Sequence, residues 1–420
     1  MAARAAQISA PKTRAFGRVR VPLSIWLPLT IFALTRLYGF VVIALAARHQ
    51  VALPSPDHPL TYQFTAHPAS PGYLGLITNW DGQWYERIAT IGYHLPSPDD
   101  SDANAALWAF AFPPVFPAVV GAMMALTGLS FALSATVVNL VAGGAAMVLM
   151  YALVERTAGR FAAGAAVIFT CSFIAAPLFQ AAYSESISLL LVCAILLLVA
   201  RRRYGWAVPV VLLLSLTRLV TPPLAIVVLV HAVLRYRGRA QDPIRRGEAA
   251  GMTVLAVVSA ASVLLWTKIT SVITNGADGI GARRGSVSNA VAVGRFGWFT
   301  NAFDHIGWIG VAGLALLVVL LVVVSVSRFT RTWGTEVRTW FAIYPIFLLF
   351  AAGVHTGMFR YLLLAFPLGM LLVGSPEPGK IPHKRAALVV IVSVISLALQ
   401  IFWVNHALMI TEPAGNTWLP

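Results

Sequence analysis

The chain has 420 residues, of which 59% are hydrophobic and 11% charged, and it carries a formal net charge of +15. An ordinary soluble domain is about 25% charged, and apolar runs of about 18 or more residues recur along this chain, which excludes a soluble globular fold and predicts a polytopic membrane protein. The charge does not point to nucleic acid as a partner, because most Lys and Arg fall in short segments between apolar runs, as cytoplasmic loops do.

Residues 1–20 carry Arg4, Lys12, Arg14, Arg18 and Arg20 and read as a basic cytoplasmic N-terminus. The run 21–47 is too long for the apolar region of a signal peptide and includes Arg36, so it reads as an uncleaved first span, with cleavage after "ALA" (44–46) as the alternative. The segment 48–130 then forms a long extracytoplasmic loop. Its run "WAFAFPPVFPAVVGAMMALTG" (108–128) reads as a helix on or half inside the membrane surface. Counted as a full span, it would invert every later loop against the positive-inside rule.

With that reading, the runs near 131–154, 161–178, 186–200, 205–220, 222–234, 251–270, 307–327, 339–354, 359–374 and 386–408 alternate. Arg156 and Arg160, Arg201 to Arg203, Arg235 to Arg246, Arg328 to Arg338 and Lys380 to Arg385 fall inside. "QAAYSES", "LTRLVTPP", a second large loop 271–306, "GVHTGMFR" and the tail 409–420 fall outside. The expected architecture is one all-α transmembrane domain, 21–408, with eleven spans, or twelve as the alternative. Cys171 and Cys193 lie inside apolar runs and read as core residues. "DH" at 304–305 and "VH" at 354–355 are too sparse for a metal site, so no metal and no cofactor is expected.

The stretch "NWDGQWYERIATIGYH" (79–94) stands out in so apolar a chain. On a helix, Trp80, Trp84, Ile88 and Ile91 form one apolar stripe, with Gln83, Glu86 and Thr90 opposite. This predicts a helix lying flat on the membrane, its indoles at headgroup level and Asp81 and Tyr85 on the flank. Thr78-Asn79-Trp80-Asp81 also matches a capping box. Spacing alone leaves Asp81 open between a cap and a catalytic group.

"WDGQWYERIATIGY" resembles the W-D-x-x-x-Y-x-x-I-A-x-x-G-Y signature of the PIG-V mannosyltransferase family. Further segments match in the same order: "AFPPVFPAVV" is similar to F-F-P-x-Y-P, "AAYSESISLLL" to A-x-Y-S-E-x-x-F, "LTRLVTP" to L-T-R-x-x-G, and "FRYLLLAFPL" to R-Y-x-x-P-x-F-P-L. Ser188 stands where an aromatic is common, and the fourth segment lacks the glycine. The resemblance covers about 36–370 and implies the GT-C glycosyltransferase architecture, with an acidic residue on the first extracytoplasmic loop beside juxtamembrane helices.

The activity so implied is transfer of mannose from a polyprenyl-phosphate-linked donor, a membrane lipid, to a glycolipid, glycan or protein acceptor outside the cytoplasm. Asp81 would be the base, since partial desolvation raises a carboxylate towards the working range. Arg360, Arg218 and Arg295 are candidates for the donor phosphate, which the planar guanidinium fork suits. Lipid-facing snorkelling is the other reading of terminal arginines. Tyr85, Trp80 and Glu185 are candidate substrate-binding residues, Glu185 also as a partner of Arg218 or Arg360. Arg283, Arg284, Asp304 and His305 are further candidates in the second loop. Arg36 is read as a structural pairing residue. Another hexose or a pentose would use a similar fold. The competing function is a transporter or lipid flippase, against which the lack of an internal repeat counts.

Overall fold

The structure, a computed structural model, describes residues 22–53, 65–95, 103–276, 296–375 and 382–412. The N-terminal 1–20, Arg283, Arg284, Arg295, Lys380 and residues 413–420 lie outside them. Helices build the described chain throughout; its one β-bridge joins Leu53 and His67.

The first helix, α1 (Leu23–Ala46), is followed by three short helices: α2 (Gly72–Leu76), α3 (Asp81–Ile91) and α4 (Ala103–Ala109). Then comes α5 (Val115–Thr127), with Pro114 at its N-cap and left-handed Gly128 ending it. At about 1.5 Å per residue, α5 is roughly 20 Å long, too short to cross a 30 Å hydrocarbon core.

Next, α6 (Phe131–Ser172) is two helices joined at Gly159, whose φ of 82° and ψ of 173° are non-helical. Glycine enters this region without the steric cost other residues meet. Beyond it follow α7 (Glu185–Ala200), α8 (Tyr204–Ser215), α9 (Pro222–Arg237), α10 (Arg246–Ala261) and α11 (Val263–Ile273). The last group is α12 (Gly297–Ile306), α13 (Trp308–Val326), α14 (Thr335–Ala351), α15 (Met358–Tyr361) and α16 (His383–Trp403).

Four helical stretches are long and apolar enough to cross a membrane: α1, α6, α13 and His383–Leu408. A fifth is α10 with α11, if that pair, bent by 49°, is one span. The chain is an integral membrane protein on this evidence, and the exposed Leu and Val of α13 have only lipid to face.

Besides the bent α10–α11 pair, on which the run 251–270 falls, two more of the expected spans are not straight helices. The run 161–178 ends as helix at Ser172 and continues as a 3-10 turn, Ala176–Gln180. The run 359–374 consists of α15 and two 3-10 segments, Leu362–Leu364 and Phe366–Leu372. Periodicity cannot reveal such breaks, because an apolar run reads alike whether its backbone is continuous or jointed.

The polar contacts sort the loops into two ends. At one end Arg156 donates to Ala200 O (3.5 Å), Arg202 pairs with Asp242 (2.7 Å) and Arg235 with Glu248 (2.8 Å). Thr332 N donates to Ser375 Oγ (3.2 Å), and Arg385 donates to Val373 O at the same end. All the described basic segments meet here. At the other end Ala182 N donates to Ile77 O (3.0 Å), Val115 N to Leu216 O (3.0 Å), Trp266 Nε1 to Phe110 O (2.8 Å) and Val51 N to Ile410 O (3.2 Å). Thus the broken 358–374 segment reaches from the second end, at Arg360, to the basic end, at Gly374. The candidate site lies wholly at the second end.

Candidate active site

Asp81 is the first residue of α3, and Glu185 the first of α7. Both carboxylates therefore stand where the helix dipole favours negative charge. The N-cap of α3 is Trp80, which makes no side-chain cap bond, and the Thr78 hydroxyl donates to Gly75 O (2.9 Å) instead of accepting from α3. The Thr78 hydroxyl therefore does not form the expected capping box; it is spent on the preceding turn.

Asp81 instead meets an arginine from the far end of the sequence. Arg360 Nη1 lies 2.6 Å from Asp81 Oδ2, and Arg360 Nε lies 2.9 Å from Glu185 Oε1. Arg218 Nη1 lies 2.5 Å from that same Glu185 oxygen. All four side chains are nearly enclosed, with exposures of 12% for Asp81, 10% for Arg360, 11% for Arg218 and 1% for Glu185. The Tyr361 ring lies beside both guanidiniums, its centroid 4.7 Å from the Arg218 carbon and 5.3 Å from that of Arg360, and Tyr183 flanks Arg360 at 5.3 Å. Cation–π contact of this kind holds a desolvated guanidinium without adding charge. Arg218 and Arg360 are thus not snorkelling to headgroups.

The aromatics of α3 also differ from the expectation. Trp80, Trp84, Tyr85 and Ile88 are buried in protein, as is Gln83, while Ile91 and Glu86 are exposed. Trp84 stacks on Phe112 (5.9 Å, 13°), and Tyr85 packs edge-on against Phe112 and Phe116. Trp84 and Ile88 pack in one cluster with Phe112 and Phe116 of the "AFPPVFP" segment. An apolar stripe shows which face is buried but not what covers it. Tyr85 donates its hydroxyl to Ser184 Oγ (3.3 Å), next to Glu185. Burial pushes the Tyr85 phenol up to about 12, reinforced by the negative Asp81 and Glu185, and burial likewise holds Tyr183 well above the usual range. Both phenols therefore stay protonated and act as donors. Tyr183 gives its proton to Asn79 O (3.0 Å).

Trp80 has φ of 58° and ψ of −113°. A bulky side chain in such a conformation costs about 1–3 kcal/mol and persists only where surroundings enforce it. The enforcing contacts come from the C-terminal end of the fold. Trp80 Nε1 donates to Leu408 O (2.9 Å), Asn79 Nδ2 donates to the same carbonyl (3.0 Å) and to Gln50 Oε1 (2.8 Å). Met409 and Ile410, expected in a free tail, are buried there. Trp80 is a candidate substrate residue by sequence; its indole N–H is committed to the fold.

Of the sequence candidates, Asp81, Glu185, Arg218, Arg360, Tyr85 and Trp80 converge. Arg295 lies outside the described residues. Asp304 and His305 are exposed on α12, and Arg36 donates to the backbone carbonyls of Cys171 (2.9 Å) and Ala176. Sequence reasoning missed Tyr183, Tyr361, Asn79 and Gln50. The two tyrosines stand inside quoted motifs beside a charged residue, a signal that was available; Gln50 and the Leu408 carbonyl gave none.

No protein-family model and no curated protein matches the chain. The resemblance to the PIG-V family therefore rests on the quoted motifs alone. Among solved structures, the chain is similar to the oligosaccharyltransferase AglB of the archaeon Archaeoglobus fulgidus, in complex with an inhibitory peptide and a dolichol-phosphate. The identity is 12% and the TM-score 0.46, over 92% of this chain and 56% of that one. The apo form of the Archaeoglobus fulgidus oligosaccharyltransferase gives 11% identity and a TM-score of 0.46, over 90% and 56%. The chain spans just over half the length of the solved structures it is similar to.

Proposed function

We propose that the protein is a GT-C-type membrane glycosyltransferase that moves mannose from a polyprenyl-phosphate donor to an extracytoplasmic acceptor. The observation that carries this reading is the enclosed quartet of Asp81, Arg360, Glu185 and Arg218, built from four distant segments at one end of the bundle. Buried charges of this kind are costly to keep and mark function more often than stability. In this reading Asp81 takes the acceptor's proton, while Arg360 and Arg218, with Arg295, meet the donor phosphate as charge grows on it. Glu185 holds the two guanidiniums together, and the Tyr183 ring flanks Arg360.

Eleven spans with a cytoplasmic N-terminus complete the proposal, counting the two halves of α6 and the broken 358–374 segment as crossings. They put the quartet outside the cytoplasm and the basic end inside, as the positive-inside rule requires. Membranes containing the protein, given radiolabelled polyprenyl-phosphate-mannose, should transfer label to a glycolipid, glycan or protein fraction. Label that stays on the donor in these membranes, with added acceptor extracts, would reject the activity. Label transferred only from a glucose or pentose donor would keep the class and change the sugar.

A further inference from the structure

The charges of the quartet balance, since two carboxylates face two guanidiniums. Their hydrogen bonding does not. Arg360 Nε–H is buried and makes no hydrogen bond although Glu185 Oε1 is 2.9 Å away, and Glu185 Oε2 is buried without a partner. A partly satisfied polar network in a low-dielectric site is expensive, and another arrangement that satisfies it gains correspondingly. Asp81 is meanwhile held by Arg360 at 2.6 Å. A carboxylate in contact with a guanidinium is favoured in its charged form and is a poor proton acceptor.

We propose that the site operates by exchange of ion-pair partners: an arriving lipid phosphate takes the Arg360 guanidinium, and Asp81 becomes a proton acceptor only when so released. The inference rests on the roles proposed above for Asp81 and the arginines and adds the order in which they act. Before donor binding, Glu185 Oε1 stands between the two guanidiniums, at 2.5 Å from Arg218 and 2.9 Å from Arg360, as a phosphate oxygen would. It keeps two like charges in a binding geometry while the site is empty of substrate, so it is a positioning residue. A phosphate that takes the terminal pair of guanidinium nitrogens displaces Asp81 from Nη1 and gives Arg360 the paired donation that guanidinium makes to phosphate.

The transfer step then balances. The acceptor O–H bond breaks and its proton passes to Asp81. The oxygen's electron pair forms a bond to the anomeric carbon, and the bond from that carbon to the phosphate oxygen breaks. Its electron pair stays on the phosphate, which gains one negative charge as Asp81 loses one. No net charge is created in the enclosed site, and without donor there is no free base to activate water.

The test uses the full chain in lipid nanodiscs, with polyprenyl phosphate, neutral polyprenol and inorganic phosphate as separate probes. Asp81→Asn should bind polyprenyl phosphate about tenfold more tightly than wild type, the return of one charge-assisted bond to the phosphate. Wild-type binding of polyprenyl phosphate with unchanged or weaker binding by Asp81→Asn overturns the exchange and leaves the proposed function standing. Equal wild-type affinity for polyprenol and polyprenyl phosphate, or tighter binding of inorganic phosphate than of the lipid, rejects the proposed donor site and the exchange together. Should Asp81→Asn not fold, wild type is treated with an apolar carbodiimide and the modified carboxylates are mapped by mass spectrometry. Asp81 should react faster with polyprenyl phosphate bound; an unchanged or slower rate overturns the exchange.

Discussion

Arg360 places a guanidinium nitrogen 2.6 Å from the Asp81 carboxylate, although 279 residues separate them in sequence. The pair joins the fifth quoted motif to the first. Removing one member leaves the other buried and uncompensated, which costs about 3–5 kcal/mol, whereas removing both costs less. Arg360→Ala should therefore lower the detergent melting temperature sharply, and Asp81→Asn with Arg360→Ala should recover part of that loss. Arg360→Lys keeps the charge but not the planar fork, and should retain more stability than activity. Transfer at the wild-type rate in Arg360→Lys would assign the residue to the fold alone.

Asp81→Asn preserves size and removes the base, whose contribution is typically about 10²–10⁴-fold. Transfer should fall by that factor with the protein still inserted. Glu86→Gln is the control, because Glu86 is exposed on the outer face of α3. Near-normal transfer by Asp81→Asn would show that the proton leaves by another route.

Trp80→Phe keeps the ring and deletes the N–H that reaches Leu408 O. Asn79 still donates to that carbonyl, so the stability loss should be about 1 kcal/mol. Transfer should drop severalfold more than this, because the strained turn before Asp81 is then less firmly held. The measurement is melting temperature beside initial rate; equal wild-type rates would mean the turn holds without the indole.

Topology has a direct chemical test. Cys171 and Cys193 are fully buried, so background labelling should be low. A cysteine at exposed Thr127 should react with an impermeant thiol reagent in intact cells, and one at Gly238 only after lysis. Labelling of both from the same side would refute the two-ended arrangement of the eleven-span proposal.

Much of this was legible in the sequence because hydrophobic run length and loop charge act locally. The helix over 115–127, the end at which the basic loops meet and the convergence of Asp81, Glu185, Arg218 and Arg360 follow from runs, charges and motifs. What stayed hidden depends on distant partners. The aromatic stripe on α3 reads alike whether Phe112 or a lipid covers it. The capping box at Thr78 was spelled correctly but its hydroxyl bonds Gly75 O instead, and the contacts of Leu408 and Gln50 fix Trp80 in a conformation no local preference selects. The jointed backbone of 358–374 leaves no trace in an apolar run.

The bond from Trp80 to Leu408 spans 328 residues, and this bears on how the protein is made. At about 5–20 residues per second, ribosomal synthesis of that interval takes on the order of 16–65 s. Throughout that time the Trp80 turn lacks the carbonyl that holds it, and Asp81 lacks Arg360 until the 279 residues between them are made. A nascent chain in the translocon thus carries every early motif with none of them in working geometry. The turn before Asp81 gains its last contact only when Leu408 is made, so under the proposed function a product stalled before it should not transfer sugar.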